Sequence, residues 1–103
     1  VLFRSNVDRI EELRPQIGGA RVSIQQMVAF VAEDADRDAV AEAAHRRFGY
    51  ARPVIGTASE LIDHYRDLET RGIERVYTWF CDFAPPATLT EFGETVARPL
   101  AAA

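Results

Sequence analysis

Few side chains in this sequence could carry a reaction by themselves. Cys81 is the only cysteine, so the chain forms no internal disulfide and offers no thiolate cage for a metal. As a nucleophile its thiol would need a neighbouring base and an electropositive setting. The sequence places neither beside it, and a buried, inert thiol is the expected state. His45 and His64 fall on polar faces of helical stretches and lack a second ligand at metal spacing, so both are expected to be exposed rather than bound to zinc. Gly18-Gly19 resembles a phosphate-cradling turn only in composition. Such loops leave a strand and open a helix, whereas this one does the reverse. Asp82 stands where a strand gives way to a loop; it could position a polar substrate group or a water, or it could cap the Pro-led final helix. No carboxylate pair and no Ser-His-Asp set can be assembled.

The elements that must position these residues follow from apolar spacing. Val7, Ile10 and Leu13 recur at three-residue intervals, the stripe of a short amphipathic helix over residues 6–14 that Pro15 is expected to stop. After Gly18-Gly19, the stretch Arg21 to Ala32 contains the unbroken apolar run Met27 to Val31. A strand with one wet face would alternate, so this run predicts a strand covered on both faces, as in a parallel sheet. Asp34 and Asp36 can cap a helix from about Arg37 to Phe48 with Val40, Ala44 and Phe48 on one face and Gly49 at its end. Tyr50 to Pro53 is a connector and Val54-Ile55 a short extended segment. Thr57-Ala-Ser-Glu60 is a capping box. It opens a helix that buries Leu61, Ile62, Tyr65 and Leu68 and ends at Gly72. Ile73 to Cys81, rich in β-branched and aromatic residues, predicts a second buried strand. A last helix from about Pro86 to Arg98 turns Leu89, Phe92 and Val96 inward, weakened by Gly93 by about 1 kcal/mol relative to Ala.

The fold class is therefore α/β, with about two strands separated by the long crossovers that parallel pairing requires. Two parallel strands do not make a stable sheet, so both need neighbours. With 48% hydrophobic and 27% charged residues, the chain is too apolar for intrinsic disorder. Its net charge of −4 and the absence of a basic run leave nothing to neutralise a phosphate backbone, which argues against nucleic acid. No apolar stretch reaches the roughly 18 residues that span a bilayer, and no secretory leader is visible. A cytoplasmic protein without a membrane partner is expected. Residues 1–5, Val-Leu-Phe-Arg-Ser, do not join the pattern that follows. They are read as a translated sequencing-adapter scar, which predicts that the chain begins inside a longer gene.

Several segments, taken in order, resemble a known family. Val54-Ile-Gly-Thr57 is followed by Glu60-Leu-Ile62, then by Gly72-Ile-Glu-Arg-Val-Tyr-Thr-Trp-Phe-Cys-Asp-Phe83, then by Ala84-Pro-Pro86 and a helix ending Val96-Ala-Arg-Pro-Leu100. Together they resemble the tail of the luciferase-like monooxygenase family, in which a V-G-T-P-E-E helix start precedes the last barrel strand and final helix. Ala58 stands here in place of the usual Pro and Ser59 in place of the first Glu; both keep the helix start, since Pro is favoured there for its preset geometry.

The resemblance implies that residues 6–103 are the C-terminal portion of a single TIM (β/α)8 barrel domain, with Arg21 to Ala32 its seventh strand and Ile73 to Cys81 its eighth. A whole barrel takes about 250 residues, so the 103-residue chain would be inactive alone. It further implies an oxidoreductase or monooxygenase that transfers hydride between a small organic substrate and either FMN or a deazaflavin coenzyme (coenzyme F-420). The coenzyme would lie at the strand C-termini, with its phosphate site upstream of this chain and a homodimer open to the full-length protein. The residues placed to meet it follow the two strands: Glu33 and Asp34, and Trp79 to Phe83. Trp79 or Phe80 would form an apolar wall against the isoalloxazine or the substrate, according to which one points into the lumen, and Asp82 would line the same site. The competing reading of Trp79 and Phe80 is plain core. The rival for the whole chain is a non-catalytic barrel relative or a small α/β interaction domain that dimerises to bury its sheet edges.

Overall fold

A computed structural model describes residues 6–102; the adapter reading of residues 1–5 lies outside the described residues. The elements run α1 (Asn6–Ile17), β1 (Ser23–Phe30), α2 (Arg37–Phe48), β2 (Val54–Gly56), α3 (Ala58–Thr70), β3 (Arg75–Phe80), α4 (Pro86–Phe92), a π-helical turn (Gly93–Ala97) and α5 (Arg98–Ala101). The strands form one parallel three-stranded sheet in the order β2-β1-β3. The sheet thus has one strand more than the two expected. The extended segment at Val54 pairs with β1 in the register Val28↔Val54 to Phe30↔Gly56, which gives the apolar C-terminal end of β1 a neighbour on each side.

Alternation along the strands sorts the side chains onto two faces. In the pairing of β1 with β3, Ile24 lies beside Val76, Gln26 beside Thr78 and Val28 beside Phe80, and this face carries most of the helices. At its lower end Val7 of α1 joins Val22, Ile24, Leu68 and Ile73. At its upper end Val28, Leu61 and Val96 form a core flanked by Phe30 and Phe92. A polar belt separates the two, with the hydroxyls of Tyr65 and Thr78 3.0 Å apart and His64 Nε2 2.8 Å from Gln26 Oε1. The other face holds Ser23, Gln25, Met27 and Ala29 of β1 beside Arg75, Tyr77 and Trp79 of β3. Among the described residues only α2 covers it, packing Ala44, Val40 and Phe48 on Ala29, Cys81 and Ile55. β1 is therefore covered on both faces in its C-terminal half, as its apolar run predicts, while Ser23 and Gln25 stay exposed.

Several local expectations need correction. Pro15 does not stop α1, which runs on to Ile17 and closes where the Gly18 N–H donates to the Arg14 carbonyl at 3.1 Å. A proline removes only its own donor and crowds the preceding turn, and near a helix end that leaves the following turn intact. Asp34 and Asp36 do not cap α2 through their side chains. They form a 3-10 turn, and Asp34 instead accepts from the Arg37 guanidinium at 2.8 Å. Gly49 does end α2, as expected, but in a right-handed conformation, and the left-handed residue that redirects the chain is Arg52 at φ 52°. Leu89 is exposed, not inward. The final helix starts beyond the strand ends and runs back over the sheet, so Phe92 and Val96 reach the core while Leu89, one turn earlier, has no sheet beneath it.

Gly72, at φ 90°, ends α3 as expected. A Cβ there would stand 2.6 Å from Arg14 Nη2, the atom that donates to the Arg71 and Gly72 carbonyls at 3.3 and 3.4 Å. Gly72→Ala would combine a left-handed alanine with the loss of this link between α1 and α3. It is expected to lower unfolding free energy by roughly 1–3 kcal/mol in urea denaturation.

Candidate functional site

In open and closed parallel sheets alike, ligands gather outside the carboxyl ends of the strands. Here that end is built from the segments after β1, β2 and β3 together with the last turn of α2. The capping box of α3 is present: the Glu60 carboxylate accepts from the Thr57 N–H at 2.9 Å and from the Thr57 hydroxyl at 3.1 Å. Arg37 joins the same carboxylate at 2.7 Å and Asp34 at 2.8 Å. The Thr57 amide, then Arg37, hold Glu60 at a pKa of about 2. All of these groups are engaged with one another, so this network orders the loops at the strand ends instead of presenting a free acid or base.

The residues singled out from the sequence separate by strand face. Phe80, half-buried, points into the helix layer, its ring edge-on to Phe92 at 4.9 Å. Trp79, one position earlier, stands on the opposite face beside Met27 and is 58% exposed. Tyr77, two residues before Trp79 on the same face, is 48% exposed and accepts from Arg75 Nη1 at 3.4 Å. Arg75, Tyr77 and Trp79 thus make an exposed stripe on the face that α2 leaves open. Tyr77 is the member sequence reasoning passed over, although the period of two along a strand sufficed to pair it with Trp79.

Asp82 is committed to its own loop, one carboxylate oxygen accepting from the Ala84 N–H at 3.0 Å and the other from the Thr88 hydroxyl at 2.7 Å. Between them Phe83 and Ala84 adopt left-handed conformations at φ 64° and 54°, costly for residues with a Cβ. The turn sends the Phe83 ring out to Phe48 at 5.8 Å and under the Arg47 guanidinium at 5.5 Å. Arg47 Nη1 also donates to the Cys81 carbonyl at 3.2 Å. The Cys81 side chain is buried, and burial, then the Asp82 charge, raise its pKa against the opposing pull of Arg47; such a thiol is a poor nucleophile at neutral pH. Glu33 is exposed at the end of β1.

His45 is exposed on α2. His64, expected to be exposed, is half-buried against Gln26, and burial lowers its pKa below 6.5 while Asp67 works in the other direction. Because the folded state resists protonation, its contribution to stability is whole above about pH 6.5 and is lost as pH falls below that value. The urea midpoint is expected to drop between pH 7.5 and 5, and His64→Gln, which can still bond Gln26, should flatten that interval. Among the described residues no cluster of His, Cys, Asp or Glu could hold a metal, and no helix is long and apolar enough to cross a membrane.

No family model, curated protein or solved structure matches this chain. The fold itself defines a small α/β unit with a three-stranded parallel sheet.

Proposed function

We propose that this chain is the C-terminal part of a luciferase-like TIM barrel oxidoreductase of the cytoplasm, transferring hydride between a small organic substrate and FMN or a deazaflavin coenzyme. The observation that carries the reading is the side-by-side parallel pairing of β1 with β3, with α1, α3 and α4 on one face and, on the other, α2 beside the exposed stripe of Tyr77 and Trp79. Adjacent barrel strands share this parallel pairing, with helices outside and strand side chains facing the lumen; α2, on the Trp79 side, would cover the strand ends. An exposed indole beside Met27 at the carboxyl end of a strand suits the planar face of an isoalloxazine, whereas Phe80, turned into the helix layer, does not reach it.

The coenzyme supplies the redox chemistry by accepting or donating hydride. This chain's residues would orient it. Trp79 and Tyr77 would offer flat apolar surface, the Glu60–Arg37–Asp34 network would fix the loops around it, and α2 would close the strand ends against water. Further support comes from what the sheet leaves uncovered. Among the described residues β3 has no strand on its outer side, and a groove of about 240 Å³ runs along that side, lined by Leu68, Ile73, Val76, Phe92, Val96 and Leu100 among others. In a barrel the next strand and its helix fill that space.

The protein expressed in its complete reading frame should bind FMN or the deazaflavin coenzyme, followed by absorbance and fluorescence titration; failure to bind either would remove the proposal. The uncovered β3 edge also favours a second reading, a non-catalytic α/β module that dimerises through it. A cooperative, monodisperse dimer of the 103-residue chain by size exclusion would favour that reading, and an aggregating chain the first.

A further inference from the structure

Arg47 is held differently from the arginines that lie on carboxylates. Arg37 lies on Asp34 and Glu60, Arg71 on Asp8 and Glu11, Arg46 on Glu42 and Arg21 on Glu74. Arg47 meets no carboxylate within ion-pair distance among the described residues. It is fixed by the Cys81 carbonyl and the face of Phe83, and Phe83 is itself presented by the left-handed turn that Asp82 ties down. One of its five N–H donors is used, so a positioned fork is left with charge and donors to spare.

That fork stands at a cleft of about 110 Å³ between α2 and the sheet. Its lining is mostly apolar: Ala29, Phe30, Val40, Ala43, Ala44 and Cys81, with Arg47 and Asp82 as the charged groups among the lining residues. We propose that this cleft is a binding subsite for a monocarboxylate with a short apolar tail, the tail entering between Val40 and Ala44 and the carboxylate bonding the free N–H groups of Arg47. A planar guanidinium matches a carboxylate in bidentate geometry, and the cleft has room for about three or four carbon-sized groups at roughly 30 Å³ each. Asp82 sets the selectivity. Its oxygens are occupied by Ala84 and Thr88, but its charge remains beside the cleft and penalises a dianion more than a monoanion.

The subsite goes beyond the redox reading, and its test contains no coenzyme, so the two stand or fall separately. Equilibrium dialysis of the full-reading-frame protein with labelled butanoate at pH 7 should show binding that Arg47→Met weakens at least tenfold, with circular dichroism unchanged. Saturating butanoate should also slow modification of Cys81 by a small thiol reagent, read by peptide mass mapping, because Cys81 lines the same cleft. Ala43→Leu, which fills the cleft and leaves Arg47 in place, should abolish butanoate binding, so the proposal remains testable if Arg47→Met fails to fold. Butanol should bind far more weakly than butanoate, and inorganic phosphate should displace butanoate only at higher concentration. Absence of butanoate binding, equal binding by the folded Arg47→Met or Ala43→Leu protein, unprotected Cys81, or phosphate outcompeting butanoate would each overturn it.

Discussion

Leu61→Ala is expected to destabilise the fold by about 3 kcal/mol, within the 2–5 kcal/mol usual for truncating a buried leucine. Leu61 has no exposed surface and packs with Val28 of the central strand and Val96 of the π-helical turn, so three elements meet on its side chain. Removing the isopropyl group beyond Cβ loses apolar burial and leaves a cavity that the sheet, pinned by β2 and β3, cannot collapse into. Total stabilities are commonly only about 5–15 kcal/mol, and a loss of this size brings a small domain close to its unfolding threshold. Leu13→Ala serves as the control: Leu13 is 44% exposed on α1, and its truncation should shift the urea midpoint by no more than about 0.5 kcal/mol equivalent.

Trp79 and Phe80 should respond in opposite ways, although they are neighbours of similar chemistry. Phe80→Ala removes a half-buried ring that meets Phe92 edge-on at 4.9 Å and should cost about 2 kcal/mol of stability. Trp79→Ala removes a half-exposed indole and should cost under about 1 kcal/mol. On the proposed function the order reverses for the coenzyme, whose affinity for the full-reading-frame protein should fall at least tenfold in Trp79→Ala. Any weakening in Phe80→Ala should track loss of folded protein. Denaturation curves and coenzyme titrations on both variants separate the effects. If Trp79→Ala kept full affinity, the indole would not be a wall of the site.

How far the sequence could be read depended on whether a feature was local. The capping box at Thr57 and Glu60, the helix Arg37–Phe48 and the left-handed stop at Gly72 need only a few consecutive residues, and each was visible in residue type and spacing. Parallel strands were also legible, because an apolar run such as Met27–Val31 suits a sheet covered on both faces, but β3, expected to be buried as well, leaves Arg75, Tyr77 and Trp79 exposed. Features set by distant partners were not legible. Val54–Gly56 became a strand because the end of β1 required a neighbour, and three residues carry too little pattern to announce that. His64 looked solvated on its helix, yet Gln26, 38 positions away, half-buries it. Arg47 had no distinguishing signal at all. Its carbonyl and aromatic partners lie 34 and 36 residues further on, at Cys81 and Phe83, and only folding brings them together. The choice between Trp79 and Phe80 was open in the sequence because alternation says that they diverge without saying which one meets the helices; α4 decided it by placing Phe92 on Phe80.

The most direct measurement is amide hydrogen exchange along β3. The Cys81 N–H donates to the Val28 carbonyl, so by alternation the amides of Tyr77 and Trp79 also face β1, while those of Val76, Thr78 and Phe80 face the uncovered side. If β3 is one strand of a larger closed sheet, the amides of Val76, Thr78 and Phe80 in the full-reading-frame protein will exchange as slowly as those of Tyr77 and Trp79. Rapid exchange at those three positions beside slow exchange at the other two would mean that no strand lies there, and would contradict the barrel.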